Sequence, residues 1–98
     1  MTMKSSEIQS LIRGVAESIT YYEIEVRISR NYIKYVYSQK FYDNDHPRVE
    51  ELKILYADNA KKEISKHKKK LKRLRQLQVS LKKELKYAYL VENVLDRI

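Results

Sequence analysis

The chain of 98 residues contains no cysteine and no tryptophan, and only one glycine, one proline and one phenylalanine. Without cysteine it has no disulfide framework, no thiolate zinc site and no thiol nucleophile. A single glycine excludes the Gly-rich loops that cradle phosphates in nucleotide-binding enzymes. No apolar run approaches the ~18 residues of a membrane span. Helix breakers this scarce are typical of an all-α chain, and we expect one helical domain over residues 1–98.

Catalytic constellations are equally scarce. No nucleophile is paired with a base, and the acids gathered between residues 43 and 51 are expected at the start of a helix for capping and dipole reasons alone. The two histidines, His46 and His67, are too few for a metal site without further ligands. We therefore expect a protein that is not an enzyme and that holds no metal or cofactor.

Apolar side chains recur at heptad spacing through the first part of the chain. The 4-3-4-3 spacing predicts a helix over residues 6–42 that packs one face against a neighbour. The members of this seam are Ile8, Ile12, Val15, Ile19, Tyr22, Val26, Ser29, Ile33 and Val36. Ser6 followed by Gln9 has the spacing of a capping box at the start of the helix.

A second apolar stripe lies on the same helix, about 120° from the seam around the helix axis. Because a helix with two apolar faces needs more than one neighbour, we expect self-association. The simplest form is a homodimer that makes a four-helix bundle or coiled coil. The predicted oligomer interface comprises Tyr21, Ile24, Ile28, Tyr32 and Tyr35.

A cluster of helix-breaking residues predicts a turn at residues 43–46. Pro47 suits the first position of a second helix, predicted over residues 47–97, so that the chain forms a long antiparallel hairpin. A break at Asp58 and Asn59, two poor helix formers in succession, is the alternative, and we favour the continuous helix. The predicted apolar face of this helix comprises Val49, Leu52, Leu55, Tyr56, Ile64, His67, Leu71, Leu74, Leu77, Leu81, Leu85, Ala88, Val91, Val94, Leu95 and Ile98.

Residues 61–75, KKEISKHKKKLKRLR, carry nine Lys or Arg residues and one acid, Glu63, in a chain of formal net charge +8. An ordinary solvated helix face mixes both signs, whereas these like charges repel one another. A polyanion relieves that repulsion, so we predict binding of nucleic acid, DNA or RNA, mainly through phosphate contacts. The predicted binding residues are Lys61, Lys62, Lys66, Lys68, Lys69, Lys70, Lys72, Arg73 and Arg75.

Other interpretations of the basic residues remain open. In an antiparallel hairpin, Glu17, Glu23 and Glu25 lie within reach and neutralise part of the charge, although three acids cannot balance nine bases. The alternative function is a coiled-coil adaptor, scaffold or inhibitor that binds an acidic protein surface, which the long heptad seams favour. Membrane binding is disfavoured because the apolar seams are narrow and lack tryptophan. The first residues lack an apolar signal core, and we expect a cytoplasmic, intracellular protein.

Overall fold

Two long helices account for nearly all of residues 3–39 and 48–97, the part of the chain that the computed structural model describes. Helix α1 spans Ser5–Ser38 and helix α2 spans Arg48–Asp96. Within these residues there is no strand, and the architecture is the predicted all-α helical hairpin. Helix α2 continues through Asp58 and Asn59, so the break considered at that point does not occur.

Helix α1 ends at Ser38, four residues before the predicted end at residue 42. The Ser38 hydroxyl donates to the Tyr35 carbonyl at 2.8 Å, and Lys53 Nζ donates to the Gln39 carbonyl at 2.7 Å. These bonds satisfy carbonyl groups that the end of a helix leaves without an intrahelical partner. The turn predicted at residues 43–46 lies outside the described residues.

Contacts between α1 and α2 divide into two units. The first comprises Met1–Tyr21 and Leu71–Ile98, and the second comprises Tyr22–Lys70. In each unit α1 packs antiparallel to α2. The buried apolar residues are Ile8, Val15, Leu71 and Ala88 in the first unit and Val26, Val36, Ala57 and Ala60 in the second. All nine residues of the predicted α1 seam are buried or partly buried, which confirms the seam.

The first part of α2 presents a different face to α1 from the predicted one. Three large side chains assigned to the apolar core are instead 46–53% exposed, namely Leu52, Leu55 and Tyr56. Ala57 and Ala60 are buried in their place. Heptad spacing counted backwards from Ile64 reaches Ala60 and then Ala57. The register of the seam therefore decides which face of α2 is buried, and the size of the side chains does not.

Farther along α2 the prediction was wrong at three more positions. Leu77, Val94 and Leu95 are exposed, whereas Gln78 and Glu92 are partly buried. Ile98 lies outside the described residues. The seam of α2 therefore includes polar residues, and several large apolar side chains remain on the surface.

A carboxylate from α2 caps the first turn of α1. The Ser5 backbone N–H donates to Glu92 Oε1 at 2.9 Å, and the Ser5 hydroxyl donates to Glu92 Oε2 at 2.8 Å. The predicted capping partner, Gln9, instead donates its side-chain amide to the Tyr89 hydroxyl. The backbone hydrogen bond from Ser5 is the main cause that lowers the pKa of Glu92, with the hydroxyl and the charge of Lys4 adding to it.

Two leucines on α2, one buried and one exposed, allow a matched test of the packing in the first unit. Leu71 is 5% exposed and Leu90 is 65% exposed. We expect Leu71→Ala to reduce the free energy of unfolding by about 2–4 kcal/mol, because it removes buried apolar contacts. Leu90→Ala should change it by less than about 0.5 kcal/mol. Urea unfolding followed by circular dichroism measures both, and equal losses would contradict the packing described.

The Glu92 cap gives a pH dependence with a definite sign. Because the pKa of Glu92 is lower in the folded chain than its usual value of 4.5, the cap stabilises the fold at neutral pH. The stabilisation by the cap is lost as the pH falls from about 4.5 through the lowered pKa of Glu92. We expect Glu92→Gln to lower the melting temperature at pH 7, and the difference from the wild type to shrink towards pH 3. Glu84→Gln, at an exposed acid on the same helix, is the control, and a pH-independent difference for Glu92→Gln would rule out the cap.

Candidate nucleic-acid interface

The predicted nucleic-acid-binding residues all have exposed side chains on α2, and together we call them the basic surface. They are Lys61, Lys62, Lys66, Lys68, Lys69, Lys70, Lys72, Arg73 and Arg75. The first six belong to the second unit and the last three to the first, and one uninterrupted helix carries them. The whole predicted set is therefore accessible to a ligand.

Four residues interleaved with the basic surface fix its orientation. Ile64, His67 and Leu74 are partly buried and Leu71 is buried. Their 3-4-3 spacing keeps one side of α2 against α1, so the remaining positions point towards solvent. The lysines and arginines occupy these positions, and their charge covers the exposed arc of the helix.

Acidic side chains within the basic surface compensate little of its charge. Glu63 is the one acid in residues 61–75. Its carboxylate lies 3.4 Å from Lys66 Nζ and 3.8 Å from His67 Nε2. The pair with Lys66 is largely exposed, and such pairs contribute only about 0–1 kcal/mol. Glu63 therefore offsets part of the charge of Lys66 and leaves the neighbouring lysines repelling one another.

The acids of α1 that the sequence places opposite the basic surface also compensate little. Within the part of the chain that the structure describes, Glu17 and Glu25 form no ion pair, whereas Glu23 does have an interaction partner. The partial neutralisation considered from the sequence is therefore not seen for two of the three acids. The positive charge remains in excess on this side of α2.

Tyr22 of α1 holds one lysine of the basic surface in place. Lys70 Nζ lies 5.2 Å from the centre of the Tyr22 ring, within the range of a cation–π contact. The Tyr22 ring lies in turn 5.5 Å from the His67 imidazole, tilted by 37°. Lys70 therefore contributes to the packing of the second unit as well as to its charge.

His67 occupies a seam position with one ring nitrogen unsatisfied. Its side chain is 16% exposed, and Nδ1 is buried without a hydrogen-bond partner among the described residues. A buried polar atom without a partner costs about 1–3 kcal/mol. Among the described residues no three His, Cys, Asp or Glu side chains are grouped as a metal site would require, and His46 lies outside them.

An open groove of about 500 Å³ lies between the two helices of the second unit, beside the basic surface. Its lining residues are Ile28, Ser29, Tyr32, Tyr56, Asn59, Ala60, Lys62, Glu63 and Lys66. Lys62 and Lys66 belong to both the groove and the basic surface, so positive charge borders an apolar floor. The sequence pattern does not predict the groove, because it places Tyr56 on the apolar face of α2 that packs against α1.

The side chains predicted as an oligomer interface are also exposed. Tyr21, Ile24, Ile28, Tyr32 and Tyr35 are between 42% and 60% exposed. Packing against α2 therefore leaves this stripe uncovered, as expected for a second apolar face.

No helix in the described residues has both the length and the apolar character needed to cross a membrane. Comparison with protein-family models, with curated proteins and with solved structures gives no match to the chain. Its function is therefore inferred from its own residues and their arrangement.

The unsatisfied nitrogen of His67 generates a stability prediction. We expect His67→Leu to raise the free energy of unfolding by about 1–2 kcal/mol, because leucine suits the seam and removes the buried unpaired atom. The substitution also removes the exposed pair between His67 and Glu63, but that pair contributes less stability than the expected gain. Thermal and urea unfolding measure the change, with Ser65→Leu as a control for the effect of adding leucine at an exposed position of α2. A destabilised His67→Leu variant would mean that the contacts with Tyr22 and Glu63 outweigh the unpaired nitrogen.

Proposed function

We propose that the protein is a non-catalytic nucleic-acid-binding protein that acts in the cytoplasm as a homodimer and uses its basic surface on α2. The observation that carries the proposal is the exposure of all nine Lys and Arg residues of this surface on one helix. Like charges this close repel one another, and nucleic-acid phosphates relieve the repulsion while they release condensed counterions.

The dimensions of the basic surface suit a nucleic-acid backbone. In the second unit the surface extends from Lys61 to Lys70, which is about 14 Å along a helix that rises ~1.5 Å per residue. Phosphates on one strand of B-DNA follow one another every ~3.4 Å along the axis. The second unit alone therefore offers cations over a length of about four phosphates.

The composition of the basic surface favours contacts that do not read sequence. Seven of the nine residues are lysines, and the two arginines are Arg73 and Arg75. A lysine ammonium is a compact point charge, whereas the planar arginine guanidinium makes the bidentate contacts that identify guanine. We therefore propose that the surface recognises phosphate charge and has little preference among base sequences.

Salt dependence tests this proposal directly. With six phosphate contacts, the log–log slope of the association constant against salt is about −5, which weakens binding about a thousandfold between 50 and 200 mM salt. Fluorescence anisotropy with labelled duplex DNA, single-stranded DNA and RNA measures the slope for each ligand. If none of the three binds at 50 mM salt, the proposed function is wrong.

Two charge-matched variants test whether the basic surface is responsible. The first neutralises four of its residues through Lys68→Gln, Lys69→Gln, Lys72→Gln and Arg73→Gln. The control neutralises four exposed residues of α1 through Arg13→Gln, Arg27→Gln, Arg30→Gln and Lys34→Gln. Each lost phosphate contact should reduce the magnitude of the slope by about one, so we expect a reduction of about 3–4 in the first variant and little change in the control.

Equal weakening of the two variants would show that only net charge matters and would contradict a defined surface. Both variants should remain helical, because the changed side chains are exposed, and circular dichroism checks this.

The second candidate function is an adaptor, scaffold or inhibitor that binds an acidic protein surface. The groove favours it, because Lys62 and Lys66 border an apolar floor and such a mixture suits a protein partner as well as a phosphate chain. A pulldown that recovers one protein and survives nuclease treatment, together with failure to bind nucleic acid at 50 mM salt, would favour this function.

A further inference from the structure

In the second unit the exposed stripe of α1 comprises Ile24, Ile28, Tyr32 and Tyr35, because Tyr21 belongs to the first unit. Tyr32 and Tyr56 line the same groove, so the stripe and the exposed start of α2 meet across it. The exposed large side chains that make up this apolar face are Ile24, Ile28, Tyr32, Tyr35, Leu52, Leu55 and Tyr56. Both helices therefore contribute to one surface, although the sequence pattern predicts that the α2 residues pack against α1.

The apolar face is large enough for a stable protein interface. Its seven side chains are between 42% and 60% exposed. Side chains of this size bury on the order of 150–200 Å² each when fully covered, so the face offers on the order of 600 Å² of apolar surface per copy. Standard interfaces bury about 800 Å² per partner, of which somewhat more than half is apolar. Covering this face therefore needs a partner of ordinary interface size.

The residues of the exposed stripe of α1 have the same spacing when counted from either end of the stripe. Tyr21, Ile24, Ile28, Tyr32 and Tyr35 are separated by three, four, four and three residues, with Ile28 at the centre. In a two-fold symmetric association of antiparallel helices each copy meets the same stripe reversed, so residues equally far from the centre of this pattern would lie opposite one another. The ends of the pattern are the same residue type, Tyr21 and Tyr35.

We infer that a second copy of this chain covers the apolar face, with α1 antiparallel to the partner's α1 and Ile28 at the two-fold axis. In this arrangement Ile28 faces the partner's Ile28, and Ile24 faces the partner's Tyr32. The inference specifies the interface of the proposed homodimer and does not depend on nucleic-acid binding.

A charge placed at the axis tests the inference. Ile28→Glu brings two carboxylates together in an apolar interface, and we expect it to raise the dimer dissociation constant at least about thirtyfold. Ile54→Glu is the matched control, because Ile54 is 52% exposed against 55% for Ile28 and is not among the residues that line the groove. Sedimentation equilibrium over the micromolar range measures both dissociation constants.

Three outcomes test the inferred interface, the homodimer and the proposed function separately. Unchanged dimerisation of Ile28→Glu would overturn the interface and keep the homodimer. A wild-type chain that is monomeric at all concentrations would overturn both. Anisotropy with duplex DNA in the same samples reports nucleic-acid binding separately, and phosphate contacts at 50 mM salt should survive in the Ile28→Glu monomer.

Single cysteines test the antiparallel register, because the chain contains none of its own. Ile28→Cys should form a disulfide-linked dimer under mild oxidation. In the antiparallel arrangement, residue 35 lies about 20 Å along the helix from its own copy. A disulfide needs Cα atoms within about 7 Å, so Tyr35→Cys should not be cross-linked. Efficient cross-linking of Tyr35→Cys, or of Ile28→Cys no faster than Ile54→Cys, would overturn the inferred register.

Discussion

A helix that packs against a single neighbour can bury only one of its faces, and this limit determines the surface of both units. In the first unit the contact between α1 and α2 buries Ile8, Val15, Leu71 and Ala88, and in the second it buries Val26, Val36, Ala57 and Ala60. Many of the described side chains outside these seams remain exposed, both charged and apolar. The basic surface and the apolar face are thus two results of one packing limit.

The two surfaces adjoin at the groove, which Lys62 and Lys66 line, and they suit different partners. The basic surface carries cations over the exposed arc of α2, and the apolar face joins α1 to the start of α2 across the groove. The two proposals are therefore compatible, because a second copy on the apolar face leaves the outward lysines such as Lys68 and Lys69 open to solvent. A homodimer would carry two basic surfaces, and a nucleic acid long enough to reach both would bind with increased avidity.

The sequence predicted the fold better than the register of α2. The α1 seam was predictable because its residues, all apolar except Ser29, keep heptad spacing from Ile8 to Val36. The start of α2 was not, because Leu52, Leu55 and Tyr56 are larger than the alanines that the spacing selects. At the start of α2, side-chain size and heptad spacing select different residues for burial, and the helix packs as the spacing predicts.

The exposure of the basic surface followed from its interleaved seam and was predictable in the same way. The Glu92 cap on Ser5 and the contact of Lys70 with Tyr22 were not, because both depend on which residues of α1 and α2 lie opposite each other. That pairing depends on small shifts along the seam, which the pattern of a single helix does not contain.

Among the described residues, the buried side chains of the second unit are two valines and two alanines, whereas the first unit buries an isoleucine and a leucine among its four. Small side chains remove little apolar area from water, so these four residues of the second unit gain less from hydrophobic burial. Regions with few buried apolar contacts open locally at low free energy and exchange their amide hydrogens early. A partner that covered the apolar face would add its binding free energy to the stability of the second unit, and helical order there would then depend on the concentration of that partner.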